Sequence, residues 1–273
     1  MNKLISDLLQ LFNELPTRYI SDLLNLLQGV PQKVIDILIN EADISRGYIV
    51  YSDETLVSLL KVNDYLNSLP ETRAFKTGVS RYLDSISELD IVVTAIQKAA
   101  NDIDIDLTAL MGKERTFALD AIRFHLAESA YKHDILTPLM QSVTRTTLTG
   151  GGLKELKEEL SKQLKPERLR YTETAARDGL NSYYGVQNAA ITEEFDMLYY
   201  AYVGTVKEDT RPFCRHVVKD LDGVIERDKL PALLKRFEGS SGMMPDTTPQ
   251  NFIIKRGGYG CLHQAIPIIN KNI

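Results

Sequence analysis

Tryptophan is absent from the 273 residues, and there are only two cysteines, Cys214 and Cys261. So few cysteines exclude a disulfide scaffold and fit a reducing compartment. No uncharged apolar run approaches the roughly 18 residues that a spanning helix needs, which excludes a transmembrane reading. The opening segment, MNKLISDLLQLFNEL, is a poor secretory leader because Asp7 and Glu14 interrupt its apolar stretch. Basic charge is not in excess either. The net charge of -5 argues against a protein built mainly to grip duplex DNA. No Gly-x-Ser-x-Gly, His-Glu-x-x-His or Gly-x-Gly-x-x-Gly occurs, which removes the commonest hydrolase, metalloprotease and dinucleotide signatures.

What is present is ordinary globular material, 44% apolar and 25% charged, so the chain is not a disordered tail. Residues 1–150 carry 14 Lys and Arg against 20 Asp and Glu, and the remainder is close to balance. The stretch 251–273 holds Lys255, Arg256 and Lys271 and no acid, which reads as a solvated surface.

The first part reads as helix after helix. Leu4, Ile5, Leu8, Leu9, Leu11, Phe12 and Leu15 recur at helical spacing, with Pro16-Thr17 as the expected stop. A second segment runs Ile20 to Leu27 and ends at Gly29, and Pro31 opens the next helix. Ser52-Asp53-Glu54 caps a helix over Thr55–Leu66. Pro70-Glu71 begins a longer helical region toward Ala100. Arg115–Lys132 is a further helix, with Phe117, Ala121, Phe124, Ala127 and Ala130 among its apolar members. Asp102, Asp104 and Asp106 lack the glycine and glutamate of a calcium loop, so they read as a polar connector with a helix cap.

Thr149-Gly150-Gly151-Gly152 is the clearest break and reads as a turn or hinge between bodies. A phosphate loop is excluded, because Leu153-Lys154-Glu155 follows where Gly-Lys-Ser/Thr is required. An amphipathic helix then carries Leu153, Leu156, Leu160 and Leu164 on one face. After Pro166 another helix runs from Glu167 to about Ile191, with small residues for close packing. Met197–Val203 reads as a strand. Asp209 or Thr210 would cap a helix with Pro212 in its first turn. Lys229–Phe237 is a short helix, Phe252–Ile254 a short strand, Gly257-Gly258 a tight turn and Cys261–Ile268 a last strand.

The fold class expected is mainly α, with long helices, few short antiparallel strands and a small C-terminal α+β unit. The domains expected are a helical partner-binding region over 1–149, and a helical hairpin with a small α+β domain over 150–273.

Both cysteines and two of the four histidines fall in Cys214-Arg215-His216 and Cys261-Leu262-His263. Thiolates with imidazoles suit zinc. On a strand, Cys261 and His263 share a face. On a helix, Cys214 and His216 point about 200° apart, so three ligands or none is expected rather than four. The plain alternative is a pair of small buried cysteines with no metal. A Cys–His nucleophile pair needs a partly exposed thiolate and an orienting third group, and no local context marks one. A nuclease- or transferase-like site built from His216, His263, Arg211 and Glu173 is the enzymatic rival. His125 and His133, eight apart, read as ordinary helix histidines. The tyrosines at 183, 184, 199, 200 and 202 read as core and edge packing.

Three segments in order go beyond composition: Arg170-Tyr-Thr-Glu-Thr-Ala175 in a helix, Asp209-Thr-Arg-Pro-Phe-Cys214 after a strand, and Gly257-Gly-Tyr-Gly-Cys-Leu-His263 leading into Ile266-Pro-Ile268. This set resembles the phage Mu F-like family of minor head proteins, the head morphogenesis proteins of tailed phages. Leu262 stands where that family usually has arginine. The resemblance implies a structural protein of the virion interior or neck, present in several copies per virion and found in the host cytoplasm during assembly. It implies binding to the portal or major capsid protein, an influence on packaged DNA and a structural role without enzymatic activity; no membrane partner is expected, from the hydropathy above. It points to Arg170, Thr172, Glu173, Asp209, Arg211, Cys214, Gly257, Gly258, Cys261 and His263 as the structural motif. Asp209 is expected as a cap, Arg211 as an ion-pair or cap partner, the glycines as turn formers and the cysteines as core.

Overall fold

The computed structural model describes residues 2–240, 243–255 and 261–271. Gly257 and Gly258, expected to form a turn, lie outside the described residues. The chain is mainly helical, with long helices and two small antiparallel sheets. No described helix is long and apolar enough to cross a membrane.

Helix α1 spans Asn2–Leu27 and runs through Pro16, so the expected stop at Pro16-Thr17 is corrected. A mid-helix proline costs about 3 kcal/mol. The buried stripe Leu8, Phe12, Leu15, Tyr19, Ile20, Leu23 and Leu27 continues past it at helical spacing, and that burial outweighs the cost. Helix α2, Val30–Glu41, carries Pro31 in its first turn. Helix α3, Asp53–Ser68, is capped by Ser52, whose Oγ accepts from the Thr55 N–H. Helices α4 (Arg73–Ser85) and α5 (Ser87–Asn101) follow. Asp106 caps the short α6, Leu107–Met111, accepting from the N–H groups of Thr108 and Ala109.

Helix α7, Lys113–Phe124, passes into π-helical turns over His125–Ala130 and Lys132–Leu136, and then into α8, Thr137–Leu148. Ile122, Leu126, Ala130, Ile135 and Leu139 are among its buried members. Phe117 and Phe124, read as apolar members of this helix, are 72% and 66% exposed. Phe124 stands between Ile122 and Leu126, about 200° around the helix from each, which leaves it outside the stripe.

The chain divides into two compact units that do not follow the 149/150 boundary. Unit 1 is Met1–Leu15, Asp84–Ile122 and Arg177–Ile273; unit 2 is Pro16–Leu83 and Arg123–Ala176. One division therefore falls at Pro16.

Unit 2 holds a hairpin that sequence reading passed over, β1 (Ile44–Ser45) paired with β2 (Tyr48–Ile49). Its two turn residues, Arg46 and Gly47, have φ of 51° and 84°, the positive values a tight hairpin turn needs. The glycine run docks here: the Ile49 N–H donates to Gly151 O and the Leu153 N–H to Gly47 O, at 3.1 and 3.0 Å. Gly150–Gly152 is thus a fixed turn inside unit 2, and not a hinge between bodies. It returns the chain from α8 into α9, Leu153–Gln163, whose Leu156 and Leu160 are buried. Ser142 Oγ donates to Glu159 Oε1 at 2.8 Å, and Arg145 pairs with the same carboxylate, so α8 and α9 are tied side by side.

Helix α10, Arg170–Glu194, begins in unit 2 and continues into unit 1. Unit 1 contains a three-stranded antiparallel sheet of order β4-β3-β5, with β3 Tyr199–Val203, β4 Val224–Glu226 and β5 Gln264–Ile268. Strand β5 is an edge strand, yet every residue in it is buried. Two of its carbonyls and the Gln264 side chain bond to helix side chains. Asn101 Nδ2 donates to Pro267 O at 3.2 Å, Asn188 Nδ2 to Ala265 O at 3.2 Å, and Gln264 Nε2 to Asn181 Oδ1 at 3.0 Å. Such cover blunts an edge that would otherwise pair with another chain, and Pro267 is tolerated there because edge strands need no second ladder.

Helices α11 (Pro212–Asp220) and α12 (Leu230–Arg236) pack with Tyr200, Tyr202 and Ile225 of the sheet in one apolar cluster. The expected strand at Phe252–Ile254 is corrected to a helical turn, α13, Phe252–Lys255. Adjacent Phe252 and Ile253 are both buried, which one helical turn permits and a strand with one covered face does not. Gly185 makes room for it: a Cβ there would come within 2.6 Å of Ile254 Cα.

Candidate functional site

The sulfur cluster is assembled by three pieces of unit 1. Phe213, Cys214 and Val217 are the buried residues of α11, spaced one and four apart so that they share one stripe. The alternation of β3 turns Tyr200 and Tyr202 into the same cluster. The segment leading into β5 brings Cys261 and His263.

Cys214 Sγ lies 3.8 Å from Cys261 Sγ, although 47 residues separate them. Tyr202 Oη sits 3.3 Å from Cys214 Sγ and 3.8 Å from Cys261 Sγ. His263 Nδ1 is 3.9 Å from Cys261 Sγ, and the His263 ring stacks on Tyr202 with centroids 5.5 Å apart. Neither cysteine is in a disulfide, and both are buried, as are Tyr202 and His263. His263 Nε2 has no hydrogen-bond partner among the described residues. The hydrogen bond with Cys261, followed by burial, pushes the Cys214 thiol well above its ordinary range. Burial, followed by the neighbouring sulfurs, does the same to the Tyr202 phenol.

A pocket of about 210 Å³ opens onto this cluster, lined by Asp209, Arg211, Cys214, Cys261, Leu262 and His263 among others. The Asp209–Cys214 and Cys261–His263 segments therefore meet. His216 is not among the residues lining the pocket. Its Nδ1 lies 2.6 Å from Asp220 Oδ2 and its Nε2 is 3.2 Å from Arg236 Nη1. The helix separates it from Cys214, as its spacing requires.

The expected cap is corrected. Arg211 occupies the N-cap position of α11 with no side-chain cap bond, so neither Asp209 nor Thr210 caps the helix. Thr210 Oγ1 instead accepts from the Lys207 N–H at 2.6 Å. Pro212 has no N–H to be capped. Arg215, which sequence reading did not single out, gathers the loop. Its Nη2 donates to the carbonyls of Glu208 and Thr210 at 2.7 and 3.2 Å. A five-donor guanidinium beside several free carbonyls is the only signal that would have marked it.

The Arg170–Ala175 signature lies in unit 2, whereas Asp209–Cys214 and the described part of the third, Cys261–His263, lie in unit 1. Thr172 is buried. Its N–H and Oγ1 donate to Asp134 Oδ2 at 2.8 and 3.0 Å, and Asp134 Oδ1 lies 2.7 Å from His133 Nδ1. A carboxylate accepting first-turn donors satisfies helix N–H groups that have no intrahelical partner. Asp134 was not singled out from sequence, because its partner is 38 residues away. Arg170 lines a concavity with Lys162, Lys165, Arg168 and Tyr171. Glu173 lies in the first turn of α10, half-buried.

A half-buried polar group also escaped sequence reading. Asp90 on α5 accepts from Tyr183 Oη at 2.9 Å, pairs with Arg115 of α7 at 3.1 Å, and also accepts from Gln187. It ties three helices of unit 1 through one carboxylate.

No family model, curated protein or solved structure matches the chain.

Proposed function

We propose that the chain is a structural minor head protein of a tailed phage, attaching to the portal, neck or inner capsid during head assembly without turning over a substrate. The reading starts from the resemblance carried by the three signature segments. The observation that supports it most is the 3.8 Å approach of Cys214 and Cys261. It joins two of the signatures into the core of one small α+β body, where a family motif that serves folding belongs. Four motif residues, Cys214, Cys261, His263 and Thr172, are buried, whereas Glu173 and Arg211 are half-buried and Arg170 and Asp209 are exposed. The four groups of the enzymatic rival do not share one setting. His263 and Arg211 line the small pocket, His216 pairs with Asp220, and Glu173 is on the unit 2 part of α10. Exposed apolar side chains on α3, Leu56, Val57 and Leu60, are surface of the kind that partner proteins cover.

The test is co-expression with a portal protein from the same genome, followed by affinity purification through the portal. Stoichiometric retention of the chain on the portal ring is the expected result. Recovery of the chain alone, together with hydrolysis of generic RNA or DNA that a His263→Ala variant loses, would overturn the reading.

A further inference from the structure

We infer that Cys214, Cys261 and His263 form a zinc site that staples α11 to the lead-in of β5. The inference does not depend on which partner the chain binds.

The donor spacing carries it. Zinc holds thiolate sulfur at about 2.3 Å, so two sulfurs at a tetrahedral angle lie about 3.8 Å apart. Cys214 and Cys261 are at 3.8 Å with no disulfide between them. The donor atoms of all three residues lie within 4.8 Å of one another, the span that one ion at its centre can bridge. Among the described residues this is the one group of Cys, His, Asp and Glu side chains with that convergence.

Charge and surroundings agree with the spacing. Two thiolates and a neutral imidazole balance the charge of Zn²⁺, so the complex is neutral and suits a buried place. Tyr202 Oη, 3.3 Å from Cys214 Sγ, is placed to donate to a coordinated thiolate, the outer support that metal ligands commonly have. The His263 ring has one nitrogen facing Cys261 and the other with no partner among the described residues. A buried imidazole so little used calls for a ligand. All three residues line the same pocket, which gives the ion a way in and leaves its fourth place to water. His216 is excluded by its pairing with Asp220 and Arg236.

The experiment uses the full chain, purified under reducing conditions. Zinc is measured by mass spectrometry after desalting. Chelator-treated chain is titrated with cobalt(II), following thiolate-to-cobalt charge-transfer absorption and the visible bands of tetrahedral cobalt. One metal per chain is expected, with both absorption features. Cys214→Ser and Cys261→Ser should abolish retention, His263→Gln should reduce affinity at least about tenfold, and His216→Ala should change nothing. Wild-type chain that is folded by circular dichroism, yet takes up neither zinc nor tetrahedral cobalt, would overturn the inference. So would metal retention lost in His216→Ala and kept in His263→Gln. Should the cysteine variants fail to fold, alkylation of the wild-type thiols decides: zinc must slow it, and equal rates with and without zinc defeat the proposal.

Discussion

The ring of His263 lies against the backbone of Gly204, where a Cβ would come within 2.5 Å of its Cδ2 and 2.8 Å of its Cγ. Gly204 follows β3 directly, so the end of one strand defines the room left for a side chain at the start of another. Gly204→Ala should displace His263 from Tyr202 and cost about 1–3 kcal/mol, as overpacking of a tight interior does. Urea unfolding monitored by tyrosine fluorescence measures it. A change within experimental error would show that the ring is not held where the structure puts it.

Asp134 accepts two hydrogen bonds from Thr172. Replacing it with Ala leaves a first-turn N–H and a buried hydroxyl without an acceptor, at about 1–3 kcal/mol. Thr172→Ser keeps both donors and should cost clearly less. If the two variants unfold at the same denaturant concentration, the bond pair is not what holds the start of α10.

Asp90→Ala removes the acceptor shared by Tyr183, Gln187 and Arg115. The expected loss is about 2–3 kcal/mol, below the range for a fully buried pair because Arg115 is partly exposed. A double-mutant cycle with Tyr183→Phe should show coupling, since both changes remove the same bond. Strict additivity would refute a shared network.

Glu159 has its carboxyl held below the ordinary range, first by the Ser142 hydroxyl, with Arg145 adding to it against partial desolvation. A depressed folded-state value means stability that is present above the unfolded value and lost as pH falls through the folded one. Acid titration should therefore weaken the α8–α9 pairing at a pH below the usual carboxylate range. Glu159→Gln should flatten that part of the pH–stability curve, by less than about 1 kcal/mol because the pair is partly solvated. An unchanged acid limb would rule Glu159 out as its source.

Local chemistry was largely legible. Ser52 and Asp106 cap α3 and α6 as their types suggest, and Pro31 stands in the first turn of α2. The aromatic, β-branched stretch near Tyr200 is a strand. The spacing of Cys214 and His216 correctly separated them, because rotation about a helix is a property of sequence distance alone. Less legible were places where a distant neighbour overrode local preference. Pro16 lies inside a helix because an apolar stripe runs past it. Gly150–Gly152 is a fixed turn because the β1–β2 hairpin pairs with it. Phe252–Ile254 is helical because Gly185 leaves room for it.

The sequence by itself determined the helical periodicity, several of the helix caps and the shortlist of sulfur and imidazole donors, since each depends on residues a few positions apart. Only the tertiary structure decided that Cys214 meets Cys261, that Asp134 serves Thr172 and that Asp90 serves three helices. Those pairings lie 25 to 97 residues apart, and no local rule of backbone geometry reaches across such a span. Packing of the whole chain selects them.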